Sequence, residues 1–286
     1  QDRPAVSMLV ELTVHGEILG FEIRETLIRV TRRMTYEDCE TALAASAAPG
    51  DSPAWLPRLQ GIASALEQER LAAGASPIRA WEIAIQFDDQ GEPALELVDP
   101  GRPARKLVSE MMILGNRLTA GWCRERGLPA IYRKQPPPNG SAQRPPLDRI
   151  DPVAASDFRR SLQRTEVSLE PGPHSGLGVA AYLQATSPLR RYQDLAVHRI
   201  IKASLAGQPL PHSREQLQGI AATTEQAGRL ARQVETETDQ YWILRILEGR
   251  IGSVEEAVIV RTEDRRTWVE LLSFAHQVPI AARPDH

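Results

Sequence analysis

The densest group of chemically capable side chains lies between His174 and Leu195, in the run HSGLGVAAYLQATSPLRRYQDL. Thr186 or Ser187 is suited to cap a helix and Pro188 to enter its first turn. That would gather free backbone N–H groups and the guanidinium groups of Arg190 and Arg191 at one helix mouth. Such a place favours an anion, phosphate above all, because dipole, donors and fixed charge act together. A plainer use is equally open to the two arginines: solvation, or pairing with Asp194. A second group is Ser109–Asn116 (SEMMILGN), where Glu110 stands near the start of an apolar helical pattern and Asn116 follows six residues later. The two could face a site, or serve as a dipole partner and a surface amide. Arg124, Arg126, Arg133 and Lys134, with Tyr132 among them, form a basic stretch bearing an aromatic ring, a composition that follows an RNA backbone and stacks a base.

Charge is distributed in a way that supports a polyanion partner. The 286 residues carry a net charge of only −3. Residues 1–100 sum to −9, residues 101–202 to +9 and residues 203–286 to −3, so a basic block sits between acidic flanks. No apolar run approaches the ~20 residues of a membrane span, and the opening QDRPAVSMLVEL has neither the basic start nor the apolar stretch of a signal peptide. A cytoplasmic protein without membrane contact is therefore expected. Cys39 and Cys123 stand alone, outside any CxxC, which argues against a disulfide framework or a zinc site. GxxxxGK[ST] and GxSxG are absent, and Gly176-Leu177-Gly178 lacks the third glycine of a dinucleotide fingerprint.

The elements that must position these groups alternate between strand and helix patterns. Ser7–Val14 and Ile18–Ile23 suit a hairpin about His15-Gly16, and Leu27–Arg32 could add a strand. Thr35 is placed to cap a helix through TYEDCETALAA. A turn at Pro49-Gly50-Asp51-Ser52-Pro53 precedes a helix over Trp55–Ala73. Strands Ala80–Phe87 and Pro93–Val98 follow, joined by Asp88-Asp89-Gln90-Gly91. Leu107–Arg126 reads as a helix closed by Gly127, and the six prolines within 136–152 mark an irregular surface connection. Helices are expected over Leu189–Leu205 and from Ser213 to Glu248. Beyond Gly249 the period becomes two, in Val254–Arg261 and Thr267–Leu272. The class is α+β.

Four segments, in order, carry a likeness: DRPAVSMLVEL…IRVTRRMTYEDCETAL, EMMILGNRLTAGWCRERGLPAIYR, HSGLG and YLQATSPLRRYQDLAVHRII. Together they resemble the RNB catalytic domain of the ribonuclease II and ribonuclease R family, from Asp2 to about Glu248. The resemblance implies a hydrolase of RNA degradation: a magnesium-dependent exoribonuclease that digests single-stranded RNA from its 3′ end into nucleoside 5′-monophosphates. It implies an RNB fold, a mixed sheet packed by helices over residues 1–250, and the beginning of an OB-type RNA-binding barrel over 251–286. By motif it casts Arg190 as the contact to the scissile phosphate and Arg191 as its support or the partner of Asp194. It casts Glu110 as the second catalytic residue, near the terminal nucleotide. Ser187, Tyr182 and His174 line the RNA path or pack beside it, and Arg133, Lys134 and Tyr132 follow the strand.

The likeness also exposes a departure. Family members hold their metal with a cluster of aspartates upstream of where this sequence starts, and nothing here replaces it. Asp88 and Asp89 read as a turn, Asp148 and Asp151 lie among prolines, and Asp194 follows the arginines. No metal ligand is therefore assigned within the chain. The expectation is the larger, C-terminal part of such an enzyme, inactive alone, with the aspartates supplied by upstream sequence or another polypeptide. The alternative is a catalytically inactive RNA-binding or scaffold protein derived from the family, and a polyanion-binding module unrelated to nucleolysis stands behind both.

Overall fold

The structure, a computed structural model, describes residues 1–45, 53–140, 143–263 and 266–281. Most of the turn expected at 49–53 lies outside the described residues. Helices and small antiparallel sheets make an α+β fold that divides into two compact units. The first comprises residues 1–76, 102–137 and 164–225, and the second 77–101, 138–163 and 226–286.

In the first unit, β1 (Arg3–Leu12) and β2 (Ile18–Ile28) pair antiparallel in a register that sets Arg3 opposite Ile28. Gly16, at φ +82°, turns the chain between them. The separate strand expected at Leu27–Arg32 does not form: β2 runs through Leu27 to Ile28 because β1 is long enough to pair with all of it. Helix α1 (Tyr36–Ala45) starts as its sequence suggests. The Asp38 N–H donates to Thr35 Oγ1, and Asp38 returns a carboxylate oxygen to the Thr35 N–H, so two otherwise unmatched amides are satisfied reciprocally. Helix α2 (Trp55–Ala72) follows, and Leu56 and Ala63 pack with Leu107 of α3 (Pro103–Glu125). Helix α3 begins four residues before its apolar pattern, at a proline suited to a first turn, and ends before Gly127 at φ +62°.

The core lies on α3. Ala120, Trp122 and Cys123 pack with Ile23, with Tyr132 of β5 (Tyr132–Lys134), with Leu183, and with Val197 and Ile201 of α5 (Tyr192–Leu205). Burial raises the Cys123 thiol to about 12, so it stays protonated. Strand β5 pairs with β6 (Glu166–Ser168), two short strands too brief for periodicity to reveal. Leu217 and Ala221, near the start of α6 (Arg214–Glu248), close a neighbouring cluster against Ile131, Ala196 and Ile200.

The second unit holds the hairpin of β3 (Glu82–Phe87) and β4 (Pro93–Val98), α4 (Pro152–Ser161), the later part of α6, and the antiparallel meander β7 (Ala257–Glu263), β8 (Arg266–Leu271) and β9 (His276–Ala281). Asp88 braces the β3–β4 turn by accepting from the N–H groups of Gln90 and Glu92. Helix α4 was hidden at the end of the proline-rich stretch. Asp151 caps it by accepting from the Ala154 N–H, and Pro152 occupies its first turn. Leu217 is fully buried whereas Leu230 on the same helix is 62% exposed. Leu217→Ala should therefore cost about 2–5 kcal/mol and Leu230→Ala no more than ~0.5 kcal/mol, measured by urea unfolding.

Candidate nucleic-acid site

The candidate site residues fall in the first unit, and most of them lie on or against one irregular segment, residues 172–191. Its first half is a short 3-10 turn, Ser175–Leu177, followed by Gly178 at φ +65°. A Cβ on Gly178 would stand 2.5 Å from the Arg70 carbonyl oxygen and 2.8 Å from the Ala75 nitrogen, so both conformation and crowding require glycine. The Arg70 side chain turns toward the same place. It is buried, forms a two-pronged ion pair with Glu110, and donates from Nη1 to the Leu177 carbonyl at 2.9 Å.

Glu110 is therefore neither at the start of its helix nor at the surface. With α3 beginning at Pro103, it lies two turns in, and its carboxylate is committed to Arg70. Sequence reasoning missed Arg70. The signal was weak: an arginine four residues after Leu66, on the buried face of α2. Asn116 is 1% exposed, which excludes a surface amide. Its Nδ2 donates to the Tyr182 hydroxyl at 3.0 Å, and its Oδ1 accepts from the Ala185 N–H at 2.9 Å.

The arginine loop is built otherwise than its sequence suggests. Helix α5 starts at Tyr192 with Arg191 as its cap residue, while residues 188–190 form a turn ahead of it. Ser187 and Pro188 are thus outside the helix. The anion at the helix start is the protein's own: Asp194, with no exposed side-chain surface, accepts from the Ser187 N–H at 2.9 Å and from Arg191 Nη2 at 2.7 Å and Nε at 3.0 Å. Arg191 is consumed by this pairing and also reaches Thr186 Oγ1 at 3.3 Å. Arg190 is exposed and enters no ion pair among the described residues. The two neighbouring arginines thereby separate into a buried-side brace and an outward guanidinium.

Around them the other expected residues divide. Tyr132 is 2% exposed in the core, and burial pushes its hydroxyl up to about 12, so its ring presents no face to a base. That corrects the stacking expectation, because β5 points alternate residues inward and Tyr132 takes the inward position. Arg133 and Lys134 are half-buried on the same strand. Arg126 lies over the Trp122 ring, 4.4 Å from its centroid. His174 and Tyr182 meet edge to face with centroids 5.5 Å apart. Burial, and then the charge of Arg133, holds the His174 imidazole below its usual value of 6.5, and burial raises the Tyr182 hydroxyl.

A catalytic magnesium ion for phosphodiester hydrolysis needs several converging carboxylates. Among the described residues no group of three or more His, Cys, Asp or Glu is placed to hold a metal. The buried acids Glu110 and Asp194 are each locked on an arginine. These residues do not fit the ion. What they build is an outward cation on a braced loop.

Comparison with known proteins agrees with this architecture. Residues 1–207 match the model of the RNB domain. An uncharacterized ribonuclease of Synechocystis is 36% identical over 258 residues, spanning 90% of this chain and 38% of that protein. Among solved structures, Mycoplasma genitalium RNase R in complex with ribose-methylated single-stranded RNA superposes with a TM-score of 0.84 at 19% identity, over 100% of this chain and 51% of that one. Yeast Ssd1, described as a pseudonuclease, gives 0.71 at 15% identity, over 98% and 39%. The chain thus belongs to the RNB family of ribonuclease II and R type, and it spans about half or less of the length of these relatives. Among the described residues no helix is long and apolar enough to cross a membrane.

Two outcomes follow from the site's electrostatics. Glu110→Ala strands the Arg70 charge in the interior and should cost about 3–5 kcal/mol, seen as a lowered midpoint in urea unfolding. His174 is held neutral, so as pH falls below about 6.5 the unfolded chain takes up the proton before the folded one, and stability declines through that range. Unfolding midpoints between about pH 7.5 and pH 5.5 should show a shallower decline in His174→Gln, with the remainder including His276, which burial also holds low.

Proposed function

We propose that this chain forms the RNA-end-binding part of a 3′-to-5′ exoribonuclease that hydrolyses single-stranded RNA to nucleoside 5′-monophosphates. The reaction is magnesium-dependent, and the metal-holding aspartates come from polypeptide outside this chain. The observation that carries the reading is the outward Arg190 guanidinium, left unpaired among the described residues beside Arg191, Ser187 and Ala185, which are each held by hydrogen bonds.

Arg190 donates to the non-bridging oxygens of the scissile phosphate and offsets charge that grows in the transition state. Arg191 acts through Asp194 by holding the loop. Glu110, through Arg70, fixes the 3-10 turn beside which the terminal nucleotide lies. His174, Tyr182 and Ser187 border the strand, and Arg133 and Lys134 track its phosphates. Residues 1–250 form the catalytic domain, and the β7–β9 meander within 251–286 begins an OB-type barrel.

A second reading, a catalytically inactive RNA-binding or scaffold protein of the same family, is favoured by the likeness to a pseudonuclease and by Glu110 and Asp194 each being held by an arginine. The two separate when this chain and a version extended upstream in its reading frame are incubated with end-labelled single-stranded RNA and magnesium. Mononucleotide release from the extended form alone is the expected result, and RNA binding without release by either form establishes the scaffold. In the active form Arg190→Ala should lower turnover about 100- to 1000-fold with little change in affinity. Lys134→Ala should instead weaken binding and reduce its salt dependence by about one counterion.

A further inference from the structure

The loop that carries Arg190 has a weak point. Ala185 belongs to no strand or helix, and its two backbone polar groups are satisfied by side chains from two different helices: the N–H by Asn116 of α3 at 2.9 Å, and the carbonyl by His198 Nε2 of α5 at 2.6 Å. Ala185 packs against the core cluster on α3, but beyond it Pro188 is not enclosed. A cavity of about 760 Å³ opens beside Pro188, lined also by Thr26, Leu27, His198 and Lys202. Where van der Waals contact is missing on one side, position depends on the hydrogen bonds that remain.

We propose that His198 is a positioning residue for Arg190. Its imidazole, with the proton on Nε2, clamps the Ala185 carbonyl against the pull of Asn116 on the neighbouring N–H. This places the turn at 188–190 so that the guanidinium meets the phosphate. His198 itself touches no RNA. The inference rests on the reading of Arg190 given above. An error of about 1 Å in a reacting group can cost roughly 100-fold in rate, so losing the clamp is felt in turnover rather than in binding.

The first test uses this chain alone, by hydrogen exchange at the amides of residues 185–187 and 189–191. His198→Leu, which removes the donor, should raise exchange there, while His198→Gln, whose amide reaches the same carbonyl, should keep it near the original rate. Equal protection in His198→Leu and the parent would overturn the proposal.

The second test uses the upstream-extended form on end-labelled single-stranded RNA. His198→Leu should lower turnover about 10- to 100-fold with affinity unchanged, His198→Gln should recover most of it, and His198→Leu combined with Arg190→Ala should be no slower than Arg190→Ala alone. If the two losses multiply, His198 does not act through Arg190 and the proposal fails. If Arg190→Ala has no effect on turnover, the functional reading fails and takes this one with it, while the exchange result still reports whether the clamp exists.

Discussion

A carboxylate with no exposed surface is tolerated only when cations and N–H donors surround it, and Asp194 meets that demand by drawing Arg191 and the Ser187 backbone onto itself. The arrangement of the arginine loop depends on this interaction. Arg191 stands extended at the cap of α5, and from there its side chain reaches the acid three residues on. The same pairing places consecutive arginines in opposite roles, since a chain leaving a helix cap cannot direct two neighbouring side chains to the same point.

The remaining polar interior follows the same logic at a second level. Segment 172–191 is largely irregular backbone; isolated bridges to Tyr132 and Gln135 satisfy part of it, and its other buried groups need further partners. They come from side chains on helices, Arg70 for Leu177, Asn116 for Ala185 and Tyr182 and His198 for Ala185, and from Gln135 Oε1, just past β5, for the Gly176 N–H. Helix α3 is central because one buried face carries both apolar residues and two polar ones, Glu110 and Asn116, at different heights of the same loop. Rigid elements thereby hold an irregular segment in one conformation, the usual requirement for a surface that must meet a charged ligand without reorganising.

How far the sequence could be read depended on where the deciding contacts lay. Thr35 with Asp38, the turn braced by Asp88 and the glycine that ends α3 are settled within four or five residues, and each was legible. Helix α4 had its Asp-Pro signature in view but was masked by the prolines before it. Tyr132 looked like part of a basic, stacking stretch because composition says nothing about which face of a three-residue strand turns inward. Arg70 and Glu110 are forty residues apart, and no local pattern announces a pair of that separation.

The sequence alone determined the α+β class, the family likeness and the basic middle third, since these reside in residue types and short-range order. Tertiary structure alone decided that Arg191 is a brace and Arg190 the outward charge, that Asn116 and Glu110 are buried connectors, and that Tyr132 belongs to the core. The physical reason is desolvation. Whether a polar group becomes a contact, a strut or a liability depends on what replaces its water, and those replacements come from chain segments distant in sequence.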